Sequence, residues 1–349
     1  SDTVEQIGTE GYSEGVVGYD AWYEMYPAGP VTIGMSIHPG DVLTGTVTES
    51  GVATFTLALS DQTTGKTFQT VSAMSIVPQL ASAEVIAEAP SDNNGDIVPL
   101  SDFGLVTFSH CAFDGQPISS YEWNQIDMTS EDSGALVDKT LALSPDGASF
   151  SVTTDLTPPT TVVTGAGSVW HSRPVTLRFK ATDNRGGTGV AYTEYSLNGG
   201  TTWTQGDEVT IPAPADHAND GVNKVLYRSA DKVGNLERKR LCRVLIDTRP
   251  PTPVAKWPAS AIRGARAALR FYIADPRPGS PTATVTIRIV NRRGRLVKKA
   301  LLAAIKVDNT QSYIFRCLLP KGSYRFTVAT TDAAGNRGTA AAANTLVVH

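Results

Sequence analysis

The sequence is poor in cysteine and has no long run of apolar residues. Its three cysteines, Cys111, Cys242 and Cys317, lie far apart and form no Cys-x-x-Cys pair, so a structural zinc site is not expected. Cys111 is interpreted as a buried free thiol. The aliphatic patches, such as residues 301–305, are far shorter than a membrane-spanning helix, and no membrane span is predicted.

Arginine is absent from the first 155 residues. That part contains 2 lysines and 22 acidic residues, a net charge of −20, whereas residues 156–349 contain 28 basic and 12 acidic residues, a net charge of +16. One folded unit rarely divides its charge so sharply, so we place a domain boundary near residue 155. At low pH the carboxylates of the acidic part would be protonated, and little net charge would remain. This composition therefore suits a domain that functions at low pH. An ordinary acidic extracellular domain would have the same charge, and charge alone favours that interpretation.

Helical periodicity is also missing. Glycine, proline, threonine and valine are frequent, and short runs alternate between apolar and polar residues, which predicts an all-β fold with many turns. We expect antiparallel sheets packed face to face, with a surface loop at residues 91–96. Strands are predicted in the acidic part at residues 4–8, 20–26, 31–33, 42–48, 53–59, 67–71, 82–88, 103–108 and 149–153.

The basic part contains a weak internal repeat. The sequence DLTPP at residues 155–159 recurs as DTRPP at 247–251, and DKVGN at 231–235 recurs as DAAGN at 332–336. The Pro-Pro pairs predict extended linkers, and the Asp-x-x-Gly-Asn motifs predict tight turns with glycine or asparagine at positive φ.

These repeats, together with YSLNGG at residues 195–200, resemble bacterial immunoglobulin-like repeats. The resemblance implies two immunoglobulin-like β-sandwich modules, the second more divergent. The predicted domains are therefore residues 1–154, 155–248 and 249–349.

Three motifs in the acidic part carry candidate chemistry. They are VEQIG at residues 4–8, the aromatic run YDAWYEMYP at 19–27, and SAEVIAE at 82–88. Side chains alternate between the faces of a strand, so Glu84 and Glu88 share one face of the third motif. If the strands are neighbours, Gln6, Trp22, Glu24 and Glu84 converge on one side of a sheet.

In this order the three motifs resemble the glutamic peptidase (eqolisin) family, over roughly residues 1–150. The resemblance implies an antiparallel, concanavalin-like β-sandwich and a secreted acid endopeptidase that acts on protein or peptide substrates without a metal or cofactor. It gives catalytic roles to Glu84, as general base, and to Gln6, as donor to the oxyanion. Trp22, Glu24 and Tyr26 would support or line the cleft. Family members have several strands before the glutamine, so the favoured expectation is that the sequence starts inside the domain. The first strands could instead come from a separate, cleaved polypeptide, or the chain could be a degenerate relative without activity.

Two other functions remain open at this point. The acidic sandwich could be a non-catalytic cell-surface or glycan-binding protein, or Glu84 and Glu88 could be the acid pair of a glycosidase. A His-Glu-x-x-His motif is absent, which disfavours a zincin. No nucleic-acid partner is predicted. An anionic cell-wall polymer is preferred over nucleic acid, and a merely solvated basic surface over both, for the basic residues Arg263, Arg266, Arg270, Arg292, Arg293, Arg295, Lys298 and Lys299.

Overall fold

A computed structural model describes residues 3–13, 17–90, 97–130 and 133–349. The chain separates into two compact units, residues 1–156 and 157–349. The described residues are almost entirely strands and loops, so the predicted all-β fold class is confirmed. Among these residues, none of the helices has the length and apolar character needed to span a bilayer. The loop predicted at 91–96 lies outside the described residues.

The N-terminal unit contains eleven described strands and one 3-10 turn, Ile118–Ser120. Its sheets have the orders β1-β2-β3, β4-β5-β6 and β10-β11-β7, and β8 pairs with β9. The strands are β1 (Val4–Ser13), β2 (Val17–Tyr26), β3 (Val31–Ile33), β4 (Leu43–Gly51), β5 (Thr54–Asp61), β6 (Thr67–Ala73), β7 (Leu105–Phe108), β8 (Ala112–Phe113), β9 (Gln116–Pro117), β10 (Lys139–Thr140) and β11 (Phe150–Thr153).

The β1-β2-β3 sheet packs against the β4-β5-β6 sheet because both present an apolar face. Along β5 every second residue is buried, including Phe55, Leu57 and Leu59, as period-two alternation requires. From β2, Ala21 and Met25 point into the same two apolar clusters. The other face of β1 and β2 therefore points away from the core.

One predicted strand is wrong. Residues 82–88 have no strand pairing and lie in an extended segment without regular secondary structure. From Glu84 to Ala89 the side chains still alternate between exposed and half-buried, with Glu84, Ile86 and Glu88 on the exposed side. The period-two prediction for the two glutamates was therefore correct, although the segment forms no backbone ladder.

The C-terminal unit consists of two β-sandwich modules with the same strand order. In the first, a β12-β14-β17 sheet faces β13-β19-β18-β15-β16, and in the second β20-β22-β25 faces β21-β27-β26-β23-β24. Counted from the start of each module, the two orders are identical, including the parallel pairs β13–β19 and β21–β27. The second module therefore keeps the architecture of the first despite its divergent sequence.

The strands of the first module are β12 (Thr160–Thr164), β13 (Trp170–His171), β14 (Val175–Thr182), β15 (Val190–Ser196), β16 (Thr204–Gln205), β17 (Glu208–Ile211), β18 (Gly221–Asp231) and β19 (Arg240–Ile246). Those of the second are β20 (Thr252–Val254), β21 (Ala259–Ala261), β22 (Arg266–Ala274), β23 (Thr282–Asn291), β24 (Leu296–Lys306), β25 (Thr310–Arg316), β26 (Gly322–Asp332) and β27 (Ala342–Val348).

The Asp-x-x-Gly-Asn motifs form the predicted turns. Gly234 and Gly335 have φ angles of 90° and 93°, a conformation that glycine adopts without a steric penalty. The cysteines are free, with Cys242 and Cys317 buried. Cys111 is only half-buried, because its β7–β8 loop lies at the edge of a small sheet and not in a core.

Candidate active site

Gln6 and Glu24 are brought together by the antiparallel pairing of β1 and β2. The register sets Gln6 directly opposite Glu24, and Gln6 Nε2 donates a 2.6 Å hydrogen bond to Glu24 Oε2. Ile7 and Tyr23, their neighbours in sequence, pack against the core clusters on the other face. The amide and the carboxylate therefore lie together on the face of the sheet away from the core, half-buried.

Trp22 occupies the next place on the same face. Its register partner is Gly8, and a Cβ atom added to Gly8 would lie 3.4 Å from the indole ring. The glycine thus leaves the indole room to lie across β1. The indole Nε1 of Trp22 is buried and has no hydrogen-bond partner among the described residues. It is an N–H donor on the same face as Gln6 and Glu24 that the described part of the chain leaves unused.

Tyr26 ends β2 on this face, two residues after Glu24. It lies opposite Val4, and its side chain is 49% exposed. The aromatic run therefore contributes three side chains to one face, Trp22, Glu24 and Tyr26, as the sequence predicted. Tyr26 lies at the exposed end of this group, and Glu24 contacts the glutamine directly.

Glu84 and Glu88 reach the same region from the extended segment that follows β6. Partial burial of its carboxyl group first, although the side chain as a whole is exposed, and then the charges of Glu84 and of Glu24, raise the pKa of Glu88 above its ordinary value. Glu24 and Glu84 therefore lie within electrostatic reach of Glu88. We call Glu24, Glu84 and Glu88 the glutamate cluster.

Glu84 makes no hydrogen bond to Gln6 among the described residues. The amide of Gln6 donates its hydrogen bond to Glu24 instead. Glu84 and Glu24 belong to the same cluster because the charges of both act on Glu88. Sequence reasoning gave Glu24 only a supporting role and considered Glu88 only as half of a glycosidase pair. The four-residue spacing of Glu84 and Glu88 was the available signal, but their proximity to Glu24 depends on the tertiary fold.

This arrangement combines three glutamates, of which Glu88 has a raised pKa, with neutral N–H donors. A carboxylate that stays ionised can accept a proton from water, and an amide or indole N–H can stabilise a developing negative charge without changing its own charge. A neighbour with a raised pKa takes up a proton first as the pH falls, which reduces repulsion within the cluster. The site therefore fits hydrolytic chemistry.

Comparison with protein families gives a match over residues 1–153 to the model described as the Peptidase A4 family. No curated protein matches the chain.

Among solved structures, the chain is similar to aspergilloglutamic peptidase from Aspergillus niger. That similarity has 25% identity and a TM-score of 0.38, and it covers 44% of this chain and 89% of the other. The three fibronectin domains FN1-FN3 of chicken CNTN1 are 11% identical, with a TM-score of 0.30, covering 87% and 97%. A tandem repeat from the extending region of a large adhesion protein is 15% identical, with a TM-score of 0.31, covering 97% and 82%.

Proposed function

We propose, from the match of residues 1–153 to the Peptidase A4 family, that this glutamic-type peptidase domain is an acid endopeptidase in which Glu84 and Gln6 perform the chemistry. The observation that carries the proposal is the Gln6–Glu24 hydrogen bond. It holds a neutral amide beside the glutamate cluster, on the side of the sheet that is free of core packing. A carboxylate can activate water there, and an amide can meet the oxyanion that results.

In the proposed reaction, Glu84 takes a proton from a water molecule while the water oxygen bonds to the peptide carbonyl carbon. The carbonyl π electrons move to the oxygen, and the N–H of Gln6 stabilises this oxyanion. Glu84 then gives its proton to the amide nitrogen as the carbon–nitrogen bond breaks, which releases an amine and a carboxylic acid. A positioned general base contributes about 10²- to 10⁴-fold, and one oxyanion donor about 10²- to 10³-fold.

Glu24 and Glu88 have different parts in this proposal. Glu24 is a positioning residue that fixes the orientation of the Gln6 amide. Glu88, whose pKa is raised, becomes neutral at a higher pH than an isolated glutamate would. In mild acid the cluster then loses one negative charge at Glu88. The proposed working range is therefore acidic, at about pH 3–4, close to the ordinary pKa of a glutamate.

We further propose that the protein works outside the cell, with its immunoglobulin-like modules holding the peptidase near an anionic surface polymer. Arg266, Arg270 and the basic β23–β24 turn are exposed. Within residues 157–349, all of which the structure describes, none of the eight basic residues singled out from the sequence forms an ion pair with an acidic side chain. Their charge remains available for a polyanion.

The test is hydrolysis of a denatured protein at about pH 3–4 by the wild type and by Glu84→Gln. We expect Glu84→Gln to reduce cleavage by at least about 10²-fold, because the amide cannot accept the proton from water. Glu49→Gln is the matched control, since Glu49 is an exposed residue of β4 in the same unit and should leave cleavage unchanged.

Retained cleavage by Glu84→Gln would contradict the role of Glu84. Binding of a wall polysaccharide by a wild type that cleaves no protein would favour the non-catalytic alternative. Sugar release that is lost in both Glu84→Gln and Glu88→Gln would favour the glycosidase.

A further inference from the structure

Three aspartates of the C-terminal unit meet where its two modules join. Asp247 follows β19 and begins the DTRPP linker, Asp275 follows β22, and Asp332 ends β26 at the DAAGN turn. Two of the three thus come from the repeated motifs of the sequence. One carboxylate oxygen of each lies within 4.8 Å of one oxygen of each of the others.

The three side chains are withdrawn from solvent. Asp247, Asp275 and Asp332 are 0%, 3% and 5% exposed. Burial of one carboxylate is unfavourable unless the charge is paired, and three within a few ångströms also repel each other. Within residues 157–349, which are fully described, none of the three forms an ion pair with a basic side chain.

Hydrogen bonds satisfy two of the carboxylates. Asp247 Oδ2 accepts from the backbone N–H of Ser280 at 2.7 Å, and its Oδ1 accepts from the N–H of Arg249 at 3.2 Å. Asp332 accepts from both the backbone N–H and the side-chain Nδ2 of Asn336, each at 2.8 Å. These bonds fix the positions of the two carboxylates without neutralising them.

Asp275 is different, because one of its oxygens has no partner. Its Oδ2 accepts a long 3.4 Å bond from Ser280 Oγ, while its Oδ1 is buried and has no hydrogen-bond partner in the described structure. Burial, and then the charges of Asp247 and Asp332, raise its pKa to about 7. A buried acceptor without a donor, beside two more carboxylates, is the arrangement that a cation would complete.

We propose that Asp247, Asp275 and Asp332 form a calcium-binding site at the junction between the two immunoglobulin-like modules. Calcium binds oxygen ligands at about 2.3–2.6 Å, so two oxygens on opposite sides of one ion lie about 4.6–5.2 Å apart. The three carboxylate oxygens all lie within 4.8 Å of one another, close enough to share one such ion. Magnesium requires near-ideal octahedral geometry and usually keeps several waters, so a group of buried protein carboxylates favours calcium.

The ion would connect the linker to the body of the second module. Asn336 Nδ2 already bonds both Asp332 Oδ2 and the backbone carbonyl of Asp247, at 2.8 Å and 2.7 Å. Gly279 brings its loop close, since a Cβ atom there would lie 3.2 Å from Asp247 Oδ2. Calcium would add a charged link at the same point and would stiffen the junction. No metal was expected from the sequence, because its cysteines lack the spacing of a structural zinc site.

The test uses calcium chloride with the full chain, in calorimetric titration and in thermal unfolding with calcium or with chelator. We expect Asp275→Asn to bind one calcium ion fewer than the wild type, or to bind that ion at least about tenfold more weakly. Ten-millimolar calcium should raise the melting temperature of the wild type by several degrees, as extracellular calcium modules with Kd of about 10⁻⁴–10⁻³ M would predict. Asp216→Asn, an exposed aspartate of the same unit, is the control and should bind like the wild type.

The sign of the effect in chelator distinguishes a metal site from an ordinary structural carboxylate. Without calcium, Asp275→Asn should be at least as stable as the wild type, because it removes one of three buried, repelling charges. Equal calcium stoichiometry and affinity in the wild type and Asp275→Asn would overturn the proposal. So would a wild-type melting temperature that calcium leaves unchanged, and that measurement stands even if the variant fails to fold.

Discussion

Removal of the Glu24 carboxylate tests whether the orientation of Gln6 matters to the reaction. In Glu24→Ala the amide of Gln6 loses the acceptor that it contacts at 2.6 Å. A hydrogen bond to a charged group is worth about 1.5–3 kcal/mol. If that energy holds the amide where the oxyanion forms, kcat should fall by about 10- to 100-fold, at about 1.36 kcal/mol per tenfold change.

Glu24→Gln separates geometry from charge. The glutamine oxygen can still accept from Gln6 Nε2, so we expect kcat within a fewfold of the wild type. Both variants remove the Glu24 charge, which contributes to the raised pKa of Glu88. The rise in activity with falling pH that we assign to Glu88 should therefore move to lower pH in both. A merely structural role of Glu24 would not shift the pH profile.

The assay is the pH–rate profile of hydrolysis of a denatured protein, with kcat and KM determined separately at each pH. Circular dichroism of both variants checks that the sandwich has folded. The reasoning is refuted if Glu24→Ala keeps the wild-type kcat, or if the profiles of both variants coincide with that of the wild type. An increase in KM alone would show that Glu24 binds substrate and does not position the amide.

Two further predictions concern stability. Because the pKa of Glu88 is raised in the folded protein, its contribution to stability is fully present below the unfolded pKa and is lost as the pH rises through the folded pKa. As the pH rises from about 4 to about 7, the free energy of unfolding in urea should therefore fall less for Glu88→Gln than for the wild type. Equal decreases in the two proteins would contradict the placement of Glu88 near Glu24 and Glu84. Leu57 is fully buried between the two sheets of the N-terminal unit, so Leu57→Ala should cost about 2–5 kcal/mol. Val52→Ala, at an 84% exposed turn position, should cost far less in the same unfolding experiment.

The sequence by itself determined the fold class and the faces of the strands. Alternation along residues 53–59 requires one buried face, and β5 buries Phe55, Leu57 and Leu59 accordingly. The run at residues 19–27 placed Trp22, Glu24 and Tyr26 on one face, because side-chain period in a strand is a local property. The repeated Asp-x-x-Gly-Asn motif predicted its turns for a similar reason, since a positive φ is a local demand on one residue.

Tertiary structure alone decided which of these faces meet. β1 and β2 are adjacent in sequence and their register sets Gln6 against Glu24, but no local rule brings the segment at residues 82–88 towards that pair. Residues 82–88 have the alternation of a strand but find no partner, because pairing depends on a neighbouring edge. The meeting of Asp247, Asp275 and Asp332 likewise needs three loops from distant parts of the chain. Their separate motifs specified turns and linkers, and only the packing of the second module brought their charges together.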